Sequence, residues 1–431
     1  MKRLIDEKLL DWKNRKDKKP LIIFGARQVG KSHSIIEFGK THYENMAYFF
    51  FEGNVKLQEI FNKGVDNVNA LINDLSAHIG TRINPGSTLI IFDEIQACNA
   101  ALASLKRFCE DAPQYHIACA GSLLGLAVKR EGYSFPVGKV EILHMFPMNF
   151  KEFLMAEGNE YLAGSIEKSF KEHKPLVLHE KALELYRIYL VVGGMPEAVK
   201  TYLQTKDFTL VKAKQMNIHE TYARDMSKYS TLAEAKRADA AYNSIPFQLS
   251  KENHKFQYNL IKSGARAKDY ENSLDWLKAA GIALVCTKVK EGKLPLNFYI
   301  DPLSYKIYMA DVGLLTAKND SIPMNIIADK NIGDEAKGAL TENYIAQQLA
   351  ANGIPLYYWE SGGTAEVDFV WQGKETVLPI EVKSADNVKA KSLVQFVKKY
   401  GPQYSIRIST KNFGFENNVK AVPLYAVWCI N

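Results

Sequence analysis

The sequence lacks the features that mark disulfide-rich, zinc-ribbon and membrane-spanning proteins. It contains five cysteines, Cys98, Cys109, Cys119, Cys286 and Cys429, an odd number without a CxxC pair. This number and spacing argue against a disulfide framework and a zinc ribbon, and they favour a reducing compartment. The sequence has no run of about 18 uninterrupted apolar residues, so we expect no transmembrane helix.

The N-terminal sequence also lacks a targeting pattern. Charged residues interrupt every apolar run of MKRLIDEKLLDWKNRK, whereas a secretory signal contains an apolar core. We therefore expect a cytoplasmic protein with no membrane partner. The charge is not strongly one-sided either: 55 basic and 48 acidic residues give a net charge of +7. This balance permits a polyanionic partner but does not require one.

Length and composition indicate several globular domains. The chain has 431 residues, of which 47% are hydrophobic and 24% are charged. That length exceeds the size at which a single hydrophobic core stops growing, so two to four domains are expected.

A glycine-rich motif between a strand and a helix carries the first functional signal. In LIIFGARQVGKS, an apolar run precedes a GxxxxGK[ST] motif, and a helix-like HSIIEFGK follows. The backbone N–H groups of such a loop surround phosphate, while its lysine reaches the β and γ phosphates and its hydroxyl binds Mg²⁺. We predict an ATP site formed by Gly25, Ala26, Arg27, Gln28, Val29, Gly30, Lys31, Ser32 and His33.

A second apolar strand, TLIIFDEIQ, ends in Asp93 and Glu94. Carboxylates at this position reach the open end of a parallel sheet, next to the glycine loop. We predict that Asp93, with Ser32, holds Mg²⁺ and that Glu94 polarises the attacking water. The alternative is that both residues only cap a helix that starts near Ile95.

A third apolar strand, YHIACAGS, ends at Ser122. This hydroxyl is a candidate sensor that contacts the γ-phosphate or the water. The alternative, equally favoured, is a helix N-cap before LLGLAVKR.

The segments GARQVGKS, FDEIQ, AGSLLG, PVGKVEILHMFPMNFKEF and GGMPEAV resemble the successive landmarks of a prokaryotic AAA-family group of P-loop ATPases, over nearly the whole chain. This resemblance implies ATP hydrolysis with Mg²⁺, an assembly that completes its sites between subunits, and a C-terminal domain of unknown function. Members usually carry arginine where this chain has Lys139. Arg224 is therefore our candidate for stabilising transition-state charge in a neighbouring subunit. The alternative is a surface arginine paired with a carboxylate on the same helix.

The middle of the chain predicts a helical lid and then a winged helix. Apolar residues fall at helical spacing from about Glu180 to Ala235. Two further helices, a helix end at Gly281 and a β-ribbon turned at Gly292 follow. This order makes DNA a candidate partner, with Lys288, Lys290 and Lys293 as candidate phosphate contacts. The alternative, favoured by the acidic residues on the helix before the ribbon, is that this helix packs within the protein or contacts another protein.

The last hundred residues contain Glu342 in a helical segment, Asp368 in a strand-like segment, and Glu381 with Lys383 in LPIEVKS. Residues two apart on a strand share a face, so Glu381 and Lys383 are expected to project together. With Asp368 alongside, the carboxylates could hold a second divalent metal, and Lys383 could orient a water for phosphodiester hydrolysis. This pattern resembles the PD-(D/E)xK nuclease superfamily.

The sequence thus predicts an α/β protein with four domains: an AAA+ P-loop core with a parallel sheet (1–160), a helical lid (161–235), a winged-helix-like domain (236–330) and a restriction-endonuclease-like α/β domain (331–431). The expected function is ATP hydrolysis coupled to DNA binding or processing. The alternative is a nucleotide-switched binding or scaffold protein with a catalytically inactive tail.

Overall fold

The computed structural model describes residues 1–65, 67–121, 135–229, 231–251, 254–362, 365–383 and 391–431. The chain divides into two units. The first comprises residues 1–146 and 279–281, and the second comprises residues 147–278 and 282–431.

The first unit is built on a five-stranded parallel sheet in the order β2-β3-β4-β1-β5. Its central strands read as continuous apolar runs because helices cover both faces of such a sheet. β1 lies between β4 and β5, both of which are remote from it in sequence. Ligands of open α/β sheets bind at the carboxyl ends of strands where the strand order changes direction, which places the loop after β1 at such a point. The strands are β1 (Leu21–Phe24), β2 (Asn45–Phe50), β3 (Thr88–Asp93), β4 (His116–Ala120) and β5 (Glu141–His144).

The core of the first unit contains a cluster of phenylalanines. Phe51, Phe61 and Phe92 pack edge-to-face, with ring centroids 5.3 to 5.6 Å apart. All three are at most 1% exposed, and burial of each contributes on the order of 2 kcal/mol. The cluster fixes β3 against the helices beside it. The helices of the first unit are α1 (Ile5–Asn14), α2 (Lys31–His42), α3 (Val55–Asn62), α4 (Val68–Ile79) and α5 (Asn99–Asp111), of which α3, α4 and α5 contribute to this core.

The second unit begins with a series of helices, as the sequence predicts from about Glu180 onward. They are α6 (Phe150–Ala156), α7 (Glu160–Glu172), α8 (His179–Val192), α9 (Pro196–Thr205), α10 (Phe208–Tyr229), α11 (Leu232–Leu249) and α12 (Ala267–Ala279). Among the described residues, no helix is both long and apolar enough to cross a membrane.

The predicted β-ribbon is present but belongs to a larger sheet. β6 (Ala283–Val289) pairs antiparallel with β7 (Ile300–Met309), and Gly292 lies in their connection. β6 also pairs in parallel with β8 (Tyr357–Glu360), and β8 pairs with β9 (Glu366–Val367). The four strands therefore form one sheet in the order β7-β6-β8-β9.

A second sheet, in the order β10-β11-β12-β14-β13, forms the C-terminal part of the chain. The β11–β12 and β12–β14 pairs are parallel and the other two pairs are antiparallel. The remaining elements of the second unit are α13 (Val312–Lys318), α14 (Pro323–Ala328), α15 (Asp334–Ala351), β10 (Phe369–Gln372), β11 (Val377–Val382), α16 (Lys391–Tyr400), β12 (Ser405–Ser409), β13 (Gly414–Glu416) and β14 (Val419–Pro423).

Two glycine-bearing motifs of the second unit meet in its interior. An added Cβ at Gly193 would lie 2.8 Å from the Gly313 backbone, and Gly193 has a left-handed φ of 70°, so a larger residue would meet both a clash and strain. Asp311, fully buried, accepts hydrogen bonds from the backbone N–H groups of Gly194 (2.5 Å) and Leu314 (3.0 Å). The motifs GGMP and ADVG therefore pack directly against each other, a contact that the sequence did not predict.

Candidate functional site

The glycine motif forms a loop between β1 and α2, which begins at Lys31, as the sequence predicts. The loop lies close to the end of β5: an added Cβ at Gly25 would lie 2.1 Å from the carbonyl oxygen of Met145. Only a residue without a side chain fits there. Gln28, in the same loop, also has a left-handed φ, of 68°.

Lys31 is the buried cation of this loop. Its ammonium donates hydrogen bonds to the carbonyl oxygens of Gly25 (2.8 Å) and Ala26 (2.7 Å), and the residue is 6% exposed. Burial lowers the pKa of Lys31 to about 8, although Glu94 and Asp93 raise it. The loop therefore holds a positive charge out of water, where its attraction for phosphate is strongest.

Asp93 ends β3 and meets the loop. Its Oδ1 accepts hydrogen bonds from the Ser32 hydroxyl (2.8 Å) and from the Glu94 backbone N–H (3.0 Å), and its Oδ2 accepts one from the Tyr48 hydroxyl (2.7 Å). A hydroxyl and a carboxylate at this separation are hard oxygen ligands of the kind that Mg²⁺ takes beside a triphosphate. The donor set therefore fits the metal that the sequence predicts.

Glu94 has an unusual backbone conformation. It has a left-handed φ of 51°, and Gln96 donates a side-chain hydrogen bond to its carboxylate. A short 3₁₀ turn begins at Ile95, but the Glu94 side chain makes no capping hydrogen bond to it. The geometry gives no support to capping as the role of Glu94, and such strain is common at functional sites.

Two residues that sequence reasoning missed complete the surroundings of this site. Arg3 is 6% exposed, and it donates hydrogen bonds to the carbonyl oxygens of Val29 and Phe146, each with a donor–acceptor distance of 2.8 Å. Tyr48 contacts Asp93 from the edge strand β2. Neither belongs to a recognisable motif, so the only available signals were a lone arginine and a tyrosine near apolar segments.

The other predicted catalytic residues differ in outcome. Ser122 lies outside the described residues. Arg224 forms an ion pair of 3.5 Å with Glu220, one helical turn away, and both side chains are well exposed. This is the arrangement of the alternative interpretation, and the catalytic role of Arg224 stays a prediction. Lys139 pairs with Glu110 over 2.8 Å.

The C-terminal carboxylates lie in two groups of contacts. Glu342, on α15, is buried, and its Oε1 accepts hydrogen bonds from Lys306 (2.8 Å) and Tyr308, while its Oε2 bonds to His254. Lys306, 1% exposed, also pairs with Glu366 over 2.7 Å. Burial raises the pKa of Glu342, but Lys306 and His254 outweigh it and leave that pKa well below its usual range.

Asp368 and Glu381 form the second group. Asp368 accepts a hydrogen bond from the backbone N–H of Val382 (2.7 Å), and burial, reinforced by the charge of Glu342, raises the pKa of Asp368 to about 7. Lys383 pairs with Glu381 Oε1 over 3.0 Å, so these two side chains do project together. The Oε2 of Glu381 is buried and has no hydrogen-bond partner within the described residues; the Nε of Arg407 lies 3.6 Å from it.

A second metal does not fit Glu342. Protein donors already occupy both of its oxygens, and Lys306 supplies a positive charge at the same place. The described part of the chain contains no group of three or more His, Cys, Asp or Glu side chains arranged to hold a metal.

The predicted phosphate-contacting lysines of the β-ribbon differ in their ion pairing and exposure. Lys288 is paired with Glu360 over 2.8 Å, and Lys293 lies 3.9 Å from Glu291. Lys290 is exposed. Lys288 is therefore the least available of the three for a nucleic-acid contact.

Comparisons with known proteins divide the chain into three matched regions. The model of an AAA domain matches residues 17–154. Those residues include the glycine loop, Asp93 and all five strands of the parallel sheet. This part of the chain is similar to an AAA domain. Two domains of unknown function, DUF8612 and DUF4143, match residues 183–322 and 337–427 of the same chain.

Solved structures give low similarities to this chain. The Walker-type ATPase paby2304 of Pyrococcus abyssi is 16% identical with a TM-score of 0.43, over 74% of this chain and 95% of that one. The ORC2 protein of Aeropyrum pernix, in ADPNP-ADP complexes, is 12% identical with a TM-score of 0.36, over 76% and 94% of the two chains. Similarities this low assign no function. No curated protein matches the chain.

Proposed function

We propose that this protein binds ATP with Mg²⁺ and hydrolyses the bond between its β and γ phosphates. The supporting observation is the 2.8 Å contact between Ser32 and Asp93, which joins the glycine loop to the tip of β3. Lys31 contacts the β and γ phosphates, and Ser32 and Asp93 hold the metal. Mg²⁺, when bound, neutralises the charge that develops on the phosphates. Glu94 orients the attacking water and accepts its proton.

Three variants test this proposal. Lys31→Ala removes the buried cation and should abolish nucleotide binding, whereas Glu94→Gln should bind ATP normally and lose turnover by at least about a hundredfold. Lys40→Ala is the matched control, since Lys40 is an exposed lysine of α2 that pairs with Glu37 at the surface. Unchanged hydrolysis by both Lys31→Ala and Glu94→Gln would overturn the site assignment.

We further propose that ATP hydrolysis controls DNA engagement by the second unit. The adjacency of Asp368 to β11, the strand that carries Glu381, supports the nuclease-like assignment. The sequence of α11, α12 and the β6–β7 ribbon supports a winged-helix relationship. Turnover measured with and without duplex DNA tests the coupling, and stimulation is expected. Unchanged turnover together with no DNA retention at low salt would overturn it.

A second candidate function is a nucleotide-switched binding protein whose nuclease-like tail is inactive. The observation that favours it is the full engagement of Glu342 by Lys306, Tyr308 and His254. Incubation of labelled DNA with Mg²⁺ or Mn²⁺ distinguishes the candidates. Cleavage by the wild type that is lost in Asp368→Ala and in Lys383→Ala would overturn the inactive-tail candidate.

A homo-oligomer in the cytoplasm completes the proposal. AAA-type sites take a charge-stabilising residue from a neighbouring subunit, which Arg224 supplies in this proposal. All five cysteines are free thiols, which supports a reducing compartment. Mass measurement in solution with and without ATP tests the assembly, and a monomer under both conditions would contradict it.

A further inference from the structure

Tyr48 lies beside Asp93 through the register of two parallel strands. On β2 and β3, Tyr48 is opposite Ile91 and Phe50 is opposite Asp93. Opposite residues share a face of a sheet, and so do residues two apart on one strand. Tyr48 therefore lies on the face of Asp93, about 6.6 Å upstream at about 3.3 Å per residue. That distance suits a tyrosine side chain, and its hydroxyl reaches Asp93 Oδ2 at 2.7 Å.

The two oxygens of Asp93 are held by different donors. Ser32 and the Glu94 backbone hold Oδ1, and Tyr48 holds Oδ2. Bonds to both oxygens fix the rotation of the carboxylate plane, which a bond to one oxygen would leave free. Asp93 is 4% exposed, so few water molecules can compete for these positions.

A phenol suits this task better than a cation does. Lysine or arginine at the same place would orient the carboxylate but would also cancel the negative charge that attracts a metal. The ordinary pKa of a tyrosine phenol is about 10, well above neutral pH. The phenol therefore remains a neutral donor throughout the neutral range.

We propose that Tyr48 is a positioning residue for Mg²⁺ at the nucleotide site, and that its hydroxyl holds the Asp93 carboxylate in the orientation that the metal requires. This rests on the proposed function, in which Asp93 supports the Mg²⁺ of bound ATP. Tyr48 acts through Asp93 and not on the nucleotide, so its effect appears in metal dependence before it appears in nucleotide affinity.

The test compares Tyr48→Phe with Tyr43→Phe in the full chain. Each substitution removes one hydroxyl, and that of Tyr43 bonds to the His116 ring (2.9 Å) in the same unit. ATP affinity is measured first in EDTA and then across a Mg²⁺ titration. For Tyr48→Phe we expect affinity in EDTA to stay within about twofold and the half-saturating Mg²⁺ concentration to rise about tenfold, the usual scale for a lost bond to a charged group. Tyr43→Phe should leave both the ATP affinity in EDTA and the half-saturating Mg²⁺ concentration unchanged.

Two results would overturn the proposal. One is a Mg²⁺ dependence of Tyr48→Phe equal to that of the wild type. The other is an equal loss of affinity with and without metal, which would mean that the hydroxyl only stabilises the fold. The stoichiometry of ATP bound in EDTA reports the folded fraction, so a partly unfolded variant is recognised and its folded part still titrated. A wild type that binds no nucleotide would overturn the proposed function itself, before any variant is examined.

Discussion

The hydroxyl of Ser32 donates a hydrogen bond to Asp93 Oδ1 over 2.8 Å, although the two residues are 61 positions apart in the chain. The contact requires that β1 and β3 end at the same edge of the sheet, with β4 between them. The fold of the first unit thus brings a hydroxyl and a carboxylate together next to a buried ammonium.

The first prediction concerns the pH dependence of nucleotide binding. Burial lowers the pKa of Lys31 to about 8, and bound phosphate should raise it again. Above pH 8, binding must therefore take up a proton, and affinity should fall as pH rises, by up to about tenfold per pH unit. Calorimetry at pH 7 and pH 9, in buffers of different ionisation enthalpy, measures the affinity for ATP and the number of protons taken up on binding.

Lys31→Arg is the control for this prediction, because a guanidinium stays charged throughout that range. Lys31→Arg should bind ATP more weakly than the wild type does, but its affinity should not fall as the pH rises from 7 to 9. Equal affinity of the wild type at both pH values, with no proton uptake, would contradict the assignment of Lys31 as the phosphate-binding cation.

The second prediction concerns Arg3, whose two nitrogens hold Val29 in the loop and Phe146 after β5. Lysine cannot make this pair of bonds from one planar group. Arg3→Lys should weaken ATP binding by about tenfold, and the loss should be present in EDTA as well as in Mg²⁺, unlike that of Tyr48→Phe.

Arg15→Lys is the matched substitution, because Arg15 pairs with Glu141 at the surface. Surface ion pairs contribute little, so its ATP affinity should equal that of the wild type. The clamp assigned to Arg3 would be disproved by wild-type affinity in Arg3→Lys.

The third prediction concerns stability and pH at Asp311. Burial raises the pKa of Asp311 to about 6, although its hydrogen bonds lower it. The folded protein then binds more protons than the unfolded chain between about pH 4 and pH 6. The free energy of unfolding should accordingly fall as pH rises through this window, by at most about 3 kcal/mol from this residue.

The difference between the wild type and Asp311→Asn isolates that contribution, since asparagine does not titrate. Urea unfolding at several pH values from 4 to 7 should show a difference that narrows as pH rises. A constant difference would mean that Asp311 has the same pKa in the folded and unfolded states.

The fourth prediction concerns the buried ion pair of Lys306 and Glu342. Lys306→Met would leave the charge of Glu342 buried without its lysine partner and should lower the free energy of unfolding by about 3 to 5 kcal/mol. Addition of Glu342→Gln should restore part of that loss, because the uncompensated charge is then removed.

Lys337→Met supplies the comparison, since Lys337 pairs with Asp329 (2.7 Å) where both side chains are more than a quarter exposed. Its effect should be about 1 kcal/mol or less. Urea denaturation of the wild type, Lys306→Met, Glu342→Gln, the double variant and Lys337→Met measures these differences. An additive effect of the two substitutions at Lys306 and Glu342 would show that their charges are not coupled.

Local sequence patterns predicted the positions of three residues of the candidate site in the fold, and the nucleotide-binding roles of these residues stay predictions. Lys31, Ser32 and Asp93 belong to motifs in which a few adjacent residues fix both structure and chemistry, so spacing alone placed them. Tyr48 and Arg3 could not be found in this way. Their contacts depend on strand register and on the position of α1, which are properties of the assembled sheet.

The C-terminal cluster shows the same limit. Helix, strand and ExK spacing correctly placed Glu342 on a helix and joined Glu381 to Lys383. The partners of Glu342 come from positions 36 and 88 residues away, Lys306 and His254, and no local pattern connects them. Lys306 occupies a position of a β-strand that usually holds an apolar side chain, and this was the one available signal.

The meeting of Gly193 with Gly313 affects how the second unit can be divided. These residues are 120 positions apart, and Asp311, two residues before Gly313, accepts a hydrogen bond from the Gly194 backbone at the same place. The chain between residues 195 and 310 keeps the two motifs close together. A proteolytic cut or an inserted linker in this segment would therefore weaken the contact between them. The helical lid and the winged-helix-like domain, which the sequence separates into two modules, should therefore unfold together in one transition.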